Sequence, residues 1–391
     1  MTESVVVYSK ASDSMIAGRE LSSKVVEAMP GGPPDALVLF AAPQYDHSAM
    51  LGAIVAGCKP RLLVGASSAG EFVSGTRGEG MCCALALRSK EMAFSAGIGR
   101  QLGVDRRVAA KGVASSFRGI SASAHPFRSA LVLTDALAGH TDDFIDELTL
   151  ATSGKYEFFG GGAGDNAQFR RTPVFFGTEV VTDAVVALEI LSSKPLGIGV
   201  GHGWERASAA MRVTEASGVR LVSLNGTAAV EVFLKHAEAT HQTLDLSSPI
   251  PFFLNNILGI DTGNGDKLRV PLAILEDGSV SCAADIPTGA VVHIMRTTAE
   301  SATDAAVRAT KAAMEGLKGN KPKVALFFDC VATRLRLGDA FGFELQALTD
   351  NLGKSPETSF LGCNTHGQIA RAEGQFGGFH NCTAVVCVLP E

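Results

Sequence analysis

The sequence predicts an α/β protein in which repeated strand–helix–strand units form mixed sheets, with an antiparallel β-rich module in the C-terminal half. Three observations carry this prediction. Short apolar runs recur in sets of three, the middle run of each set ends in a Gly-rich loop, and the stretch after Pro251 switches to hairpin spacing.

The middle runs end in Gly65-Ala-Ser-Ser-Ala-Gly-Glu71, Gly160-Gly-Gly-Ala-Gly-Asp165 and Gly362-Cys-Asn-Thr-His-Gly-Gln368. Before each lies another apolar run: Ala36-Leu-Val-Leu-Phe40, Ala130-Leu-Val-Leu-Thr134 or Val324-Ala-Leu-Phe-Phe328. After each lies a third: Cys83-Ala-Leu-Ala-Leu87, Ala184-Val-Val-Ala-Leu188 or Ala384-Val-Val-Cys-Val388. A helical segment separates the first two runs, as at Asp142 to Thr149 and Phe341 to Leu352. A strand that stops at Gly and continues in small residues lets backbone N–H groups converge at the sheet's end without Cβ obstruction. In open α/β sheets that edge is where ligands bind.

Taken in order, residues 1–34 give a short strand (Val5 to Tyr8) and a helix closed by Pro30-Gly-Gly-Pro-Pro34, leading into the first domain. Residues 35–225 form an N-terminal domain of two repeats, and residues 226–391 a C-terminal domain of the β-rich module plus the third repeat. A strand at Met92 to Gly97 and a helix carrying Val104, Val108 and Val113 stand between the first two repeats. Leu196 to Trp204 alternates Gly with apolar residues, but no helix pattern follows, so the dinucleotide fingerprint fails. A hairpin turns at Glu215 to Gly218, and Asn225-Gly226 opens a helix from Thr227 to Ala237. In the module, Leu268 to Leu275 faces Ser279 to Ala284 across Glu276-Asp277-Gly278. Gly289 to Arg296 is a further strand. The helix from Ala302 to Leu317, stopped by Gly319, precedes the third repeat at Lys323 to Leu389.

Composition removes several classes. A chain of 391 residues with net charge −6 and interspersed signs has no basic stripe for phosphodiester backbones, so nucleic acid is not expected as a partner. No apolar run approaches the roughly 20 residues that span a bilayer, and Met1 to Lys10 lacks the pattern of a signal peptide. The expectation is a cytoplasmic protein with no membrane insertion. Eight scattered Cys without a CxxC pair read as reduced thiols, several of them inside apolar runs.

Gly65 to Glu71 after an apolar strand, and the Gly-rich Gly160 to Asn166, resemble the N-terminal half of the FIST sensory module. Phe328-Asp-Cys-Val-Ala-Thr-Arg334, Gly362 to Ile369 and Phe379-His-Asn-Cys-Thr383 resemble the FIST C-terminal domain. The resemblance covers about Asp35 to Leu389. The family's pattern near the end is closer to Gly-Phe-x-(Thr/Ser)-Tyr-Gly-Glu, where this chain has Cys363, His366 and Gln368, which points to a different ligand. The resemblance implies small-molecule sensing in signal transduction, usually beside an output domain. None is present in this sequence, so signalling would pass in trans to a partner protein. Some relatives bind haem, which keeps a haem-binding gas sensor open as an alternative, with His202, His366 and His380 as axial candidates.

The ligand-binding candidates are the polar residues of the three loops and their surroundings: Ser67, Ser68 and Glu71; Asp165 and Asn166; Asn364, His366 and Gln368; then Arg334, His380 and Asn381. Arg334 follows a buried run and offers a fork for a carboxylate. The competing reading is that Asn and Asp satisfy turn backbones. A zinc set of Cys363, His366, His380 and Cys382 matches no standard spacing, and metal is not expected. Catalysis has thin support: Gly65-Ala-Ser67-Ser-Ala69 lacks the second Gly of a nucleophile elbow, and Cys330 or Cys363 near His366 has no assured base. The sequence thus reads as a stand-alone sensor of a small polar metabolite, such as an amino acid or other carboxylate. The alternative is an enzyme acting on a small molecule in the inter-domain cleft. A resident cofactor is not expected, and a homo-oligomer stays open.

Overall fold

The computed structural model describes residues 2–121, 124–352, 358–372 and 378–391. The architecture is α/β, as the repeats predicted, but the repeating unit is longer than the three apolar runs. Each unit is strand, helix, strand, helical segment, strand, hairpin, strand. The first contains strands Thr2–Ser9, Ala36–Ala41, Leu63–Ser67 and Cys82–Ser89, with helices Ser14–Ala28 and His47–Cys58. The second contains strands Met92–Arg100, Phe127–Thr134, Glu157–Gly162 and Ala184–Ser192, with helices Arg106–Ala114 and Thr141–Ala151. The third contains strands Gly197–Gly201, Pro322–Cys330, Ser359–Thr365 and Ala384–Pro390, with helices Ala299–Gly316, Val331–Leu337 and Phe341–Asn351.

Each unit supplies four strands of a six-stranded sheet, always in the order first, last, second, third. Only the second and third strands run parallel, because a helical segment joins them and returns the chain to the same end. The remaining two strands of every sheet come from another unit. The hairpin Glu71–Val73/Thr76–Gly78 of the first unit completes the third unit's sheet. The hairpin Val174–Phe176/Glu179–Val181 of the second completes the first unit's sheet. The hairpin Gln368–Arg371/Gly378–His380 of the third completes the second unit's sheet. The exchange closes in a ring.

The loop glycines are explained by this exchange. Gly65, Gly160 and Gly362 occupy the same place in their sheets, each opposite a residue of an incoming hairpin: Phe175, Ile369 and Phe72 respectively. A Cβ on Gly362 would lie 2.0 Å from the Phe72 ring and 2.3 Å from the Phe327 carbonyl oxygen. One face of all three sheets encloses a common apolar core, where Phe328 meets Phe40 and Phe159 at ring-centroid distances of 5.7 and 6.5 Å. The opposite faces carry the helices, giving each sheet its own outer core. The alternating glycines of Gly197–Gly201 belong to this packing. A Cβ at Gly197 or Gly199 would meet Ala313 O at 1.7 Å or Ala309 O at 1.8 Å, so helix Ala299–Gly316 lies directly on that strand.

The antiparallel module is present, though it sits inside the third unit rather than ahead of it. It leaves after strand Gly197–Gly201 and returns before helix Ala299–Gly316, and Thr297 Oγ1 donates to Gly203 O across its two entry points. Its sheet has nine strands, of which Met211–Ser217, Arg220–Leu224, Ile257–Asp261, Val280–Cys282 and Val291–Arg296 share a core with helix Ala229–Ala239. The hairpin across Glu276–Gly278 forms between Pro271–Ile274 and Val280–Cys282. The run read as one strand from Leu268 is divided at Pro271: Asp266–Arg269 pairs instead with Ile257–Asp261. Val270 lies at the break, and Pro271, which cannot donate to a ladder, opens the second strand. Among the described residues no helix is long and apolar enough to cross a membrane.

Gly362→Ala is expected to destabilise the protein by about 2–3 kcal/mol, since backbone and an aromatic ring both obstruct the methyl. Gly52→Ala, in helix His47–Cys58 with nothing within 4 Å of the added carbon, should instead stabilise by about 0.5–1 kcal/mol. Urea denaturation of both variants checks the pair. Equal effects of the same sign would refute the packing account of Gly362.

Candidate functional site

The three Gly-rich loops meet one another. Ala69 N donates to Asn364 O (2.9 Å), Gly164 N to Ser67 O (2.9 Å) and His366 N to Gly162 O (3.0 Å). A second cycle runs from Ser67 N to Pro173 O (2.9 Å), Gly162 N to Gly367 O (2.9 Å) and Asn364 N to Gly70 O (2.8 Å). The amides expected to converge on a ligand are therefore spent on each other's carbonyls. What remains for recognition is side chains, and the ring sorts these into two places.

The first is a polar cleft of about 530 Å³ between the first unit's exchanged hairpin and the helix Val331–Leu337. It is lined by Glu71, Arg77, Glu79, Arg334, Asp339 and Asn364, among others. Three predicted residues thus come together, and Ser68 joins them by donating to Glu71 Oε1 at 2.5 Å. Arg334 is 8% exposed and pairs with the exposed Glu79 carboxylate, while its Nε has no hydrogen-bond partner. Asn364 Nδ2 is likewise without a partner. Gly70, at φ +134°, packs on both: a Cβ there would lie 2.7 Å from Asn364 Oδ1 and 3.4 Å from Arg334 Nε. Burial raises the Glu71 carboxyl to about 7, against the opposing pull of Ser68, the Met81 and Gly80 amides and Arg334.

The second is a largely apolar cavity of about 520 Å³, where the module, the second unit and the third unit meet. His366 and Asn381 line it. The His366 side chain is 6% exposed, stacks on Phe169 (centroids 4.9 Å apart) and reaches to 3.6 Å from Asp165. Burial pushes its imidazole down to about 4, with Asp165 only partly offsetting this. Asp165 has its own structural task. Burial alone would raise its carboxyl, but the N–H groups of Arg170, Arg171 and Phe169 outweigh that and hold it below the usual range. Gln168 N also donates to it, so one carboxylate shapes the whole loop 165–171.

The other predicted residues join neither place. Ser67 is buried in the loop ring, and Asn166 takes a left-handed φ of +57° in the Asp165 loop. Gln368 links two segments, donating to Thr365 Oγ1 (2.8 Å) and accepting from Thr383 N (3.3 Å). His380 is 1% exposed, and burial followed by the nearby Lys267 pushes it to about 3.

Cys363 faces the central core while Cys382 sits against Cys330 in another cluster, so the four residues weighed for zinc do not form one set. Burial also pushes the Cys363 thiol well up, which removes it as a nucleophile. Of the histidines considered for haem, only His366 lines a large apolar cavity. Among the described residues that lining contains no Lys or Arg for the propionates and includes Asp142 and Asp285, so the residues do not fit the group. Sequence reasoning missed Glu79 and Asp339, which are surface acids on turns. It also missed Phe169, whose one signal is an aromatic residue in a polar loop.

Comparison with known proteins agrees with the geometry in one respect. Residues 35–227 match the FIST N domain and residues 229–371 the FIST C domain. The chain belongs to the FIST family, whose domains are associated with sensory roles in signal transduction. The uncharacterized protein MJ1623 of Methanocaldococcus jannaschii is 27% identical over 150 residues, a match covering 36% of this chain and 29% of that protein. The structure of PurLQS from Thermotoga maritima aligns with 12% identity and a TM-score of 0.24, covering all of this chain and 72% of that one. At that score the likeness carries no argument.

The raised Glu71 carboxyl fixes a sign. Between its ordinary 4.5 and about 7 the folded state holds a proton that the unfolded state has released, so stability falls as pH rises through that window. This group should cost about 3 kcal/mol by pH 8. Glu71→Gln is expected to remove that slope in urea denaturation at pH 5 and pH 8. An unchanged difference between the two pH values would rule it out.

Proposed function

We propose that this protein senses a small carboxylate, an α-amino acid first among them, held by Arg334 in the polar cleft, and reports occupancy to a separate signalling protein. The observation that carries this reading is the nearly buried guanidinium with an unbonded Nε beside the unbonded Nδ2 of Asn364. A buried cation needs a partner, and its present one is a carboxylate on an exposed side chain, Glu79. The Glu79 side chain is 61% exposed and can turn to solvent, so a ligand carboxylate taking both donors in a bidentate grip can replace it and keep the guanidinium paired. Glu79 and Asp339, at the same cleft, then offer negative charge to an ammonium group.

The cleft also suits transmission. One wall is the hairpin that the first unit lends to the third, and the other is the third unit's helical segment from Arg334 to Phe341. A ligand bridging them favours whichever disposition of the two walls binds it better, and a partner reads that shift.

Isothermal titration with the twenty amino acids and simple dicarboxylates tests the reading. At least one is expected to bind with a dissociation constant below 1 mM (about −4 kcal/mol). Arg334→Ala should weaken it about 100-fold or more, and Arg334→Lys, which keeps charge but loses the fork, about tenfold. The proposal falls if no carboxylate binds, or if Arg334→Ala binds as well as the wild type.

A further inference from the structure

The apolar cavity is separate from the Arg334 cleft and has a different chemistry. Its walls come from three parts of the chain. Leu137 and Phe169 belong to the second unit, Val270 and Leu272 to the module, and Val331 and Ala332 to the third unit. About 520 Å³ lies in the range of small-molecule sites, and the composition is the usual one of apolar walls with a few polar groups.

Two buried polar side chains at this cavity carry atoms without hydrogen-bond partners. Asn381 is 2% exposed; its Nδ2 donates to the His380 carbonyl, and its Oδ1 has no partner. Neither ring nitrogen of His366 is hydrogen-bonded. The two residues lie at one end of the same hairpin, because the register sets Gln368 opposite His380 and each stands within two residues of that pair. Leaving such groups unsatisfied is unfavourable, and a ligand that bonds them removes that cost. The loop that brings Phe169 over His366 holds Asn166, Ala167 and Phe169 at φ of +57°, +59° and +53°. Strain of this kind gathers at binding sites.

The charges around the cavity decide what enters. Among the described residues, no Lys or Arg lines it. Asp142 is committed to Lys267, Arg269 and the Phe379 amide. Asp285 lies 3.7 Å from His140. The nearby cations are thus already paired, and the lining offers an anion acids rather than a basic partner, so an uncharged ligand is favoured over carboxylates and phosphates. Asn381 Oδ1 calls for a donor. A neutral imidazole nitrogen of His366, on the same cavity's lining, can supply the complementary bond, so one hydroxyl that reaches both side chains satisfies both.

We propose that this cavity is a second ligand site, for an uncharged apolar molecule carrying a hydroxyl group held between His366 and Asn381. Because its walls join the inserted module to two units, an occupant fixes the module against the rest of the chain. This does not depend on the Arg334 cleft binding anything.

The probes are 2-naphthol, 2-naphthoate and 2-methoxynaphthalene, titrated calorimetrically into the full chain at pH 7. They share one aromatic body and differ in the head group: a neutral donor, an anion and a capped oxygen. The naphthol is expected to bind at least tenfold more tightly than either of the others. His366→Leu and Asn381→Leu should each weaken naphthol about five- to tenfold and leave the methoxy compound within twofold. Ala284→Trp, which adds bulk at another residue of the cavity wall, should abolish naphthol binding, and Arg334→Ala should leave it unchanged. Preference for the naphthoate, binding of no probe at 1 mM, or naphthol affinity indifferent to the Leu and Trp substitutions would each overturn the site. If Leu variants unfold, as judged by circular dichroism, the Ala284→Trp result decides alone.

Discussion

The arrangement rests on a shared dependence: no unit finishes its own sheet. Each six-stranded sheet is closed by a hairpin from a neighbour, and the three loans run in one direction around the molecule. Two cycles of backbone hydrogen bonds then join the three loops that precede the hairpins. The constraint explains why Gly is required at 65, 160 and 362, and why the loops bind each other rather than a ligand. It also explains the shape of both cavities, since each is walled by elements from different units. A single unit has neither.

Much of the fold was legible in the sequence, because a parallel strand pair buried on both faces leaves a continuous apolar run and its Gly-terminated end repeats. The opening strand and helix of each unit were read as separate features. In the first unit they precede the Pro30–Pro34 turn, and in the third the inserted module severs strand Gly197–Gly201 from helix Ala299–Gly316. The exchange itself leaves no local trace. Glu71–Val73 is three residues long, too short for a periodicity, and its partner Leu361–Cys363 lies 290 residues away, as from Phe72 to Gly362.

The sites divide the same way. Arg334, Asn364, Glu71 and His366 stood out because polar groups beside apolar runs need an explanation, and the fold does gather the first three at one cleft. Their counterparts Glu79 and Asp339 carry no such mark. The apolar cavity was invisible, because Val270, Leu272 and Val331 look in sequence like any other core residues. Only the meeting of three chain segments makes a cavity of them, and only the two unsatisfied side chains at its edge give it a chemical preference.

The ring of borrowed strands also bears on how the protein is made. The hairpin at Glu71 pairs with strand Ser359–Thr365, which follows about 290 residues later in the chain, as from Phe72 to Gly362. Until then the hairpin at Glu71 has open edges, and the apolar side chain of Phe72 has no strand to cover. A nascent chain of this design therefore carries exposed β-edge and apolar surface while the intervening residues are made. Long-range pairing of this sort folds slowly. The same architecture that makes the finished molecule a single interlocked body makes its unfinished chain a natural client for chaperones.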